Sequence, residues 1–449
     1  MCCPDSGDAL AEPLNVLILH ALGDFSRARQ TSLHHLFCLP RYQPQNRYVL
    51  HDVADPVTPA LRALRFHAIV LDVTFLCMRY LRPRALFEAI VEKYFFVGAS
   101  DAFRLAMPQD EYDHSEILDE WLAAWGTDLI FSVLPRDWDL LYARTKRRAR
   151  LRPALTGYVD DQDAALVSRL VRPFAERSLD VGYRARELPP QFGRHGRMKS
   201  ELGRRFAAVA EGRGLRLDLS TRPDDVVVGD KWLAFLADCR HTLGSEGGSS
   251  VLDPRGEVRD RVETYLAGHP GAPFAEVEAA CFPGLDGVRF FSAISPRLFE
   301  AAMVRTSQVL VRAPYLPEIR PDEDYIQLEP DLSNVSEVLD AMGDVARCER
   351  RAAACYEALI RPPTYRYSRF AGEVAEAMRS GAREKAVRGT DPARFAELAR
   401  GHEAEVRWTR RRAKAWTWAL ERARPLRHLL PRGIRGAARG ALRGLAGRS

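Results

Sequence analysis

The chain lacks the features that would place it within a membrane or outside the cell. No apolar run among its 449 residues reaches the roughly eighteen that a membrane-spanning helix requires. Residues 1–13 are polar and acidic, without the basic-then-apolar order of a signal peptide. The eight cysteines include no CxxC pair, so reduced thiols are the simplest expectation. These absences together predict a cytoplasmic protein.

Positive charge is concentrated at the C-terminal end. The chain carries a net charge of +6, but residues 401–449 alone hold thirteen Arg and Lys against three Glu, which leaves the remainder mildly acidic. Four arginines there share one helical sector, opposite a group of apolar residues: Arg432, Arg435, Arg439 and Arg443 against Ile434, Leu442 and Leu445. This pattern predicts a basic amphipathic tail at 401–449 that suits an anionic membrane surface. Five glycines between 433 and 447 make a disordered basic tail the alternative.

Apolar runs alternate with helical patterns along the first part of the chain. The predicted strands are 14–20, 67–73, 93–98 and 128–132, and the helical patterns between them include 82–91 and 116–125. Continuous apolar strands separated by helices are typical of a doubly wound parallel sheet. Ligands of such sheets bind beyond the carboxyl ends of the strands.

The second part of the chain repeats the alternation. Strands are predicted at 179–184, 215–219, 239–244 and 308–311, and helices at 199–210 and from 295, while 334–360 forms one long helical pattern. The predicted organisation begins with a disordered segment at 1–13 and a first Rossmann-like domain at 14–175. A second Rossmann-like domain follows at 176–345, with an insertion at 254–290 that holds one helix. A helical crossover segment at 346–400 and the tail complete the chain as given. The expected fold class is therefore α/β with two parallel-sheet domains and a helical C-terminal extension.

One stretch combines the groups that recognise a phosphorylated sugar. Ser295 and Pro296 predict a capped helix start, with Arg297 and Glu300 in its first turns. A guanidinium and a helix N-terminus suit phosphate, and a carboxylate can accept a hydrogen bond from a sugar hydroxyl. Arg184, Arg186 and Lys199 precede it as a basic segment within an otherwise acidic body, which favours a nucleotide diphosphate.

Two loops supply further candidates. Gly244, Ser245, Glu246 and Gly247 offer backbone freedom and polar groups for a phosphate or sugar, although a Gly/Ser loop is often only a connection. Residues 108–114 carry three carboxylates and an imidazole, from which Asp110 or His114 is a candidate general base. An acidic helix start is the alternative. The spacing in this second loop matches no zinc or calcium pattern, so no metal is expected.

The strings around Arg184, Gly244–Gly248 and Arg297–Glu300 resemble the donor-nucleotide half of GT-B-fold glycosyltransferases, in particular those of bacterial surface-polysaccharide synthesis. The resemblance implies a nucleotide-diphosphate sugar donor, a glycan or lipid-linked acceptor, no required cofactor, and a position at the inner face of the plasma membrane. It implies donor-binding and catalytic groups at these positions: Arg184, Arg186, Lys199, Gly244, Ser245, Gly247, Arg297 and Glu300 for the donor, and Asp110, His114 and Glu246 for catalysis.

The chain departs from that family at one position. Retaining members carry two glutamates eight residues apart, but Ser292 stands eight residues before Glu300, so only Glu246 is available as a substitute. A non-catalytic binding or scaffold subunit of a polysaccharide assembly system is therefore the second hypothesis. A sugar-nucleotide epimerase is disfavoured, because no suitable carboxylate–histidine pairing lies near the glycine-rich loop. Nucleic acid is not an expected partner, because the body offers no aromatic stripe or recognition helix.

Overall fold

The computed structural model describes residues 12–167 and 169–423, which contain two parallel β-sheets flanked by helices. None of the helices in these ranges is both long and apolar enough to span a bilayer. The elements of the first part are β1 (Asn15–His20), α1 (Gln30–Tyr42), β2 (Arg47–Asp52), α2 (Pro59–Ala63), β3 (Ala68–Leu71), α3 (Val73–Leu76), α4 (Arg84–Lys93), α5 (Phe95–Gly98), β4 (Phe103–Ala106), α6 (Ser115–Ala124), β5 (Leu129–Ser132), α7 (Trp138–Leu141), β6 (Arg150–Pro153) and α8 (Asp161–Val167).

The second part supplies the other sheet and the C-terminal helices. Its elements are β7 (Leu179–Arg184), α9 (Gly193–Ala210), β8 (Leu217–Ser220), α10 (Asp230–Ala237), β9 (Cys239–Gly244), β10 (Gly247–Ser249), α11 (Glu257–Gly268), α12 (Phe274–Cys281), β11 (Phe291–Ala293), α13 (Arg297–Met303), β12 (Ser307–Val311), β13 (Ile326–Leu328), α14 (Val335–Gly343), α15 (Val345–Leu359), α16 (Tyr367–Glu384) and α17 (Pro392–Ala423).

Both main sheets are parallel throughout, which confirms the predicted α/β class. The first has the order β2-β1-β3-β4-β5-β6 and the second β13-β12-β9-β7-β8, while β10 and β11 form a separate antiparallel ribbon. Successive residues of β12 enter different apolar clusters, Val309 with α9 and α14, and Leu310 with α10 and α13. Burial on both faces explains why the strands are continuous apolar runs rather than alternating ones.

The predicted elements differ from the structure in several places. The predicted strand at 93–98 is wrong, because this segment ends α4 and forms the short helix α5, and the strand of the sheet is β4. Strand β2 was not predicted, because its sequence mixes polar and apolar residues. The single helix expected at 334–360 is two helices, and the Asp344 side chain caps the second by accepting the Arg347 N–H at 3.0 Å.

The chain returns to the first sheet through α16. Tyr367, Phe370 and Val374 of α16 are buried in the same cluster as Val16 and Ile18 of β1. The helix approaches the sheet closely at Gly381, where an added Cβ would lie 2.2 Å from the Phe103 ring.

The insertion at 254–290 contains two helices, α11 and α12, instead of the one predicted. It is fixed to the first sheet domain by ion pairs. Arg259 pairs with the buried carboxylate of Asp113, and Arg255 lies 2.7 Å from Glu120 and 2.9 Å from Glu116. The insertion therefore belongs to the second sheet domain by sequence but contacts the first.

Residues 54–64 and 390–423 form a second compact unit. Within it Arg410 donates two hydrogen bonds of 2.7 Å to the Asp55 carboxylate, and Thr58 Oγ1 lies 3.0 Å from His402 Nδ1. Most of the predicted basic tail, from residue 424 onward, lies outside the described residues. Its amphipathic character stays a prediction.

Candidate functional site

Two cations from different elements of the second sheet domain lie close together. Lys199 is on α9 and Arg297 begins α13, and Tyr183 of β7 contacts both. The Tyr183 hydroxyl donates to the Lys199 carbonyl at 2.7 Å, and the Arg297 guanidinium lies 5.0 Å from the Tyr183 ring centre. Burial, and then the neighbouring Arg297 charge, lower the pKa of Lys199 to about 8. Paired cations of this kind favour an anionic ligand, because the ligand would relieve their repulsion.

The Arg297 guanidinium is held in place but not fully satisfied. Its Nη2 donates to the Arg184 carbonyl, and its guanidinium carbon lies 5.4 Å from the Trp232 ring centre. Its Nε is buried and has no hydrogen-bond partner among the described residues. An unpaired buried donor costs about 1–3 kcal/mol, so a ligand oxygen at this position would be stabilising.

Glu300 adds a carboxylate beside these cations. Trp232 Nε1 donates to Glu300 Oε2 at 2.7 Å. Burial raises the pKa of Glu300, although the Trp232 hydrogen bond and the Arg297 charge act in the opposite direction. The predicted side-chain cap of this helix is wrong. Pro296 occupies the N-cap position, and α13 has only seven residues. Binding of an anion here therefore depends on side chains rather than on the helix dipole.

The glycine-rich loop lies directly against Lys199. An added Cβ at Gly247 would lie 2.9 Å from Lys199 Nζ, so glycine is what allows the amine to approach the loop. Gly244 has a packing reason of its own, because its Cβ would lie 2.6 Å from Leu310. Ser245 is buried, and its hydroxyl has no partner among the described residues.

A hydrogen-bonded chain of three side chains continues from this loop. The Glu246 carboxylate is hydrogen-bonded to Ser292 of β11, and Ser292 Oγ lies 3.2 Å from His195 Nε2. Burial raises the pKa of Glu246, and burial followed by the Lys199 charge lowers the pKa of His195. Both directions favour the neutral forms. The three side chains therefore form a polar path from the glycine-rich loop to α9.

Asp110 is brought to the same region from the first sheet domain. It lies in the loop that follows β4, and its carboxylate accepts a hydrogen bond of 2.7 Å from Tyr112. The Tyr112 ring lies 5.9 Å from that of Phe291, the residue before Ser292. The Asp110 charge also acts to raise the pKa of Lys199. Arg79 fixes the loop by donating to the Asp110 carbonyl at 2.9 Å.

Three predicted residues have other surroundings. His114 is only 4% exposed, with its Nδ1 2.6 Å from Asp113 and its ring against Gly256 of the insertion. The Arg184 guanidinium donates to the Asp218 carboxylate at 2.8 Å and lies 4.4 Å from the Phe235 ring centre. Arg186 is exposed. Six of the predicted residues therefore lie in one region: Lys199, Gly247, Glu246, Arg297, Glu300 and Asp110. The side chains of His114 and Arg184 are instead engaged by other residues of the protein.

The start of α9 is occupied by an acid of the protein itself. The Asp286 carboxylate accepts the Arg194 N–H at 3.2 Å, and Ser250 Oγ accepts the His195 N–H at 3.0 Å. A phosphate would have to displace Asp286 to reach this helix terminus.

Sequence analysis missed Tyr183, His195, Trp232 and Ser292 as members of this site. His195 had a usable signal, because it precedes Lys199 by one helical turn on the basic face of α9. Trp232 and Tyr183 had none, because only the tertiary fold brings them to Arg297.

One group of side chains in the described ranges has the spacing of metal ligands. Atoms of His34, Asp160 and Asp163 lie within 4.8 Å of one another. Arg41 Nη1 already lies 2.6 Å from the Asp160 carboxylate and compensates its charge. Nothing else about this group indicates a metal.

Comparison with solved structures gives remote similarities. An α-glucosyltransferase in complex with UDP and DNA containing a modified base is 12% identical over 82% of this chain and 100% of that one, with a TM-score of 0.48. HepE from Anabaena in complex with UDP is 10% identical over the same shares, with a TM-score of 0.44. Sucrose-phosphate synthase from Thermosynechococcus elongatus is 9% identical over 82% of this chain and 98% of that one, with a TM-score of 0.44.

No protein-family model matches the chain, and no curated protein matches it. Identities near 10% with TM-scores below 0.5 do not establish a family for the chain or a ligand for its site.

Proposed function

We propose that this protein is a glycosyltransferase that transfers a sugar from a nucleotide-diphosphate donor to a glycan or glycolipid acceptor. The observation that carries the proposal is the partly buried pair of cations, Lys199 and Arg297, with a buried and unpaired Nε on the arginine. Such a pair suits a diphosphate, whose negative charge increases as the bond to the sugar breaks. The proposal requires no metal for this purpose.

Glu300 and Glu246 have different proposed roles. Trp232 donates to one carboxylate oxygen of Glu300. The other oxygen would accept a hydrogen bond from a hydroxyl group of the donor sugar. Glu246 is hydrogen-bonded to Ser292, the position at which the resemblance leads us to expect a second glutamate. We propose that Glu246 supplies the missing carboxylate from a neighbouring loop.

Asp110 is the proposed group that accepts the proton of the acceptor hydroxyl. It is exposed at the carboxyl end of the first sheet and acts electrostatically on Lys199. His114, the alternative, is buried between Asp113 and Gly256, so an acceptor would have to open that packing to reach its ring. The proposed acceptor therefore enters from the side of the first domain.

A non-catalytic binding subunit is the second candidate, favoured by the serine at position 292. Incubation of the full-length protein with UDP-, GDP-, dTDP- and CDP-sugars separates the classes when both released nucleotide and altered sugar are measured. A transferase releases nucleoside diphosphate, faster when acceptor is added. Interconversion of donors without release would indicate an epimerase. Binding without either reaction would indicate the binding subunit.

The proposal also gives a role to the tail at 401–449. Through this tail the enzyme would adsorb to an anionic membrane that holds a lipid-linked acceptor. A truncated protein lacking residues 424–449 tests it by vesicle co-sedimentation. Unchanged binding after truncation would remove the tail from the account.

A further inference from the structure

Two exposed arginines of the first sheet domain lie on connections at the carboxyl edge of its sheet. Arg29 directly precedes α1, in the connection that follows β1, and Arg136 follows β5. Neither guanidinium has a hydrogen-bond or ion-pair partner among the described residues. The one acid in the connection before Arg29 is Asp24, which accepts hydrogen bonds from the N–H and the hydroxyl of Ser26. The two arginines flank the loop of Asp110, because β4 lies between β1 and β5 in the sheet.

Contacts place the segment of Arg29 beside the second sheet domain. An added Cβ at Gly157 would lie 3.0 Å from the Pro296 ring and 3.7 Å from the Tyr367 hydroxyl. That hydroxyl lies 3.5 Å from the carbonyl of Thr31, two residues after Arg29. Pro296 is the N-cap residue of α13. The exposed guanidinium of Arg29 therefore belongs to the region at which α13 begins.

Arg136 is placed beside the second domain in a similar way. The next residue, Asp137, has its carboxylate 4.0 Å from Arg289, which lies two residues before β11. Strand β11 pairs with β10, and Glu246 directly precedes β10. The charge of Arg136 acts to lower the pKa of Glu246, as a cation in the same cleft does.

The acids of this cleft leave the two arginines without a counter-charge. The charge of Arg29 acts to lower the pKa of Lys199, so cations of both domains face one another. Glu246 and Glu300 are each held by a hydrogen bond, and burial raises the pKa of both, which reduces their negative charge. Asp110 is the remaining carboxylate, and it acts on Lys199. A cleft with more positive than negative charge concentrates anionic ligands.

We infer that the acceptor of the proposed transfer is an anionic saccharide, whose carboxylate or phosphate groups bind Arg29 and Arg136 while its hydroxyl faces Asp110. The inference rests on the proposed function and specifies its acceptor. The donor diphosphate has cations of its own in the second domain, Lys199 and Arg297. A guanidinium pairs equally with carboxylate and phosphate oxygens, so the shared property is the negative charge. Two cations suit a short anionic segment, whereas a nucleic acid is held through a longer series of phosphate contacts.

Three probes that differ only in the group on carbon 6 of the sugar test this inference: glucose, glucuronate and glucose 6-phosphate. Each is titrated at millimolar concentration into the full-length protein saturated with UDP, GDP, dTDP or CDP, so that Lys199 and Arg297 are occupied. Calorimetry should detect binding of at least one charged probe and none of glucose. Binding of glucuronate alone would assign a carboxylate to the acceptor, and binding of glucose 6-phosphate alone would assign a phosphate.

Substitution of the two arginines identifies the site. The double variant Arg29→Gln and Arg136→Gln should bind the charged probe roughly tenfold more weakly or worse, because charge-assisted hydrogen bonds are lost. Each single variant should lose part of this affinity. The affinity for the nucleoside diphosphate should stay within about threefold, because exposed charges at a distance contribute little. Arg350→Gln, at an exposed position of α15, is the control and should bind the probe as the unaltered protein does.

The inference is overturned if neither charged probe binds, if glucose binds as tightly, or if the double variant keeps the affinity of the unaltered protein. A large loss of nucleoside diphosphate affinity in the double variant would also overturn it, because the arginines would then serve the donor. Tighter binding of a short DNA duplex, removed by the same two substitutions, would overturn it in favour of a nucleic acid.

Failure of the donor site is distinguished by the nucleotide titration itself. If no nucleoside diphosphate binds, the proposed function has failed, and the charged probes are titrated into Arg297→Ala without nucleotide. Binding that the substitutions at Arg29 and Arg136 remove would still support an anionic ligand at these arginines. Absence of binding there would overturn the inference as well.

Discussion

At the scale of single residues, the account depends most on Lys199. Its amine is next to Arg297 and against the glycine-rich loop, and its pKa is lowered to about 8 by burial and by the arginine. Only the protonated amine attracts a diphosphate strongly. The charge state of this one side chain therefore couples donor binding to pH.

This gives a prediction with a defined sign. The affinity for a nucleoside diphosphate should be highest below pH 8 and fall as the pH rises through that value, because Lys199 loses its proton in the free protein. Titration calorimetry from about pH 7.5 to about pH 10 measures it, a range in which Asp, Glu and Arg at ordinary pKa values and the ligand phosphate do not titrate. Lys199→Ala should bind weakly and lose this dependence, whereas Lys231→Ala, an exposed lysine of α10, should keep it. A pH-independent affinity in the unaltered protein would contradict this role.

The Glu246 carboxylate carries a second prediction at this scale. Glu246→Gln should reduce the rate of sugar transfer by roughly 10²–10⁴-fold, the usual contribution of a group that transfers protons or stabilises charge, while donor affinity stays nearly constant. Single-turnover rates and calorimetry on the same preparation measure the two effects. Glu337→Gln, at an exposed position of α14, is the matched control and should behave as the unaltered protein does. Full activity in the Glu246 variant would show that the carboxylate is not needed.

Residue types indicated part of this site and could not indicate the rest. The basic segment that contains Lys199 and the Arg297–Glu300 spacing in the sequence led to groups that the fold brings together. Arg184 shows the limit of this reasoning. Its guanidinium donates a hydrogen bond to the Asp218 carboxylate and packs on the Phe235 ring. Only its backbone carbonyl takes part in the site, where it accepts a hydrogen bond from the Arg297 guanidinium. A sequence states that a cation is present but not whether the fold already uses its charge.

At the scale of elements, the insertion at 254–290 joins the two sheet domains. Arg259 of α11 pairs with Asp113, whose side chain is 4% exposed, and His114 Nδ1 donates to the same carboxylate. Burial acts to raise the pKa of Asp113, but His114 and Arg259 together keep it below the ordinary value. His114, which sequence analysis proposed as a candidate general base, thus lies with Asp113 at the contact that holds the insertion in position.

Removing this arginine should destabilise the protein. Arg259→Met leaves the Asp113 carboxylate buried without its guanidinium partner, a change that typically costs about 3–5 kcal/mol. Urea unfolding followed by circular dichroism measures the free energy of unfolding. The control is Arg261→Met on the same helix, where the side chain is 48% exposed. Equal stability of the two variants would mean that the Asp113 pair contributes little.

Elements of the fold were predictable where one physical signal dominated. Three strands, β1, β9 and β12, are fully or almost fully buried. Their apolar runs were therefore enough to predict them from the sequence. Residues 93–98 are also apolar and aromatic, but Phe95 is 68% exposed while Tyr94 and Val97 are buried, which is a helical arrangement. Over six residues, composition alone cannot distinguish a buried strand from one turn of helix, and tertiary packing decided between them.

At the scale of the whole molecule, groups from both sheet domains converge. The second domain contributes Lys199, Arg297, Glu300 and the Glu246–Ser292–His195 chain, and the first contributes Asp110 through the packing of Tyr112 on Phe291. The two parallel sheets could be predicted from alternation alone. The contact of the insertion with the first domain could not, because it depends on the Arg259–Asp113 ion pair, which no sequence pattern indicates.

The most direct test of the account is a thermal-shift measurement on the full-length protein with UDP-, GDP-, dTDP- and CDP-sugars, repeated on Arg297→Ala and Glu300→Ala. Arg312→Ala is the control, because this arginine is exposed and pairs with Glu329 elsewhere on the domain. We predict that one class of nucleotide sugar raises the melting temperature of the unaltered protein and of the control, and that both site variants lose the rise. No shift with any nucleotide sugar at millimolar concentration, or an equal shift in all variants, would contradict the proposed donor site.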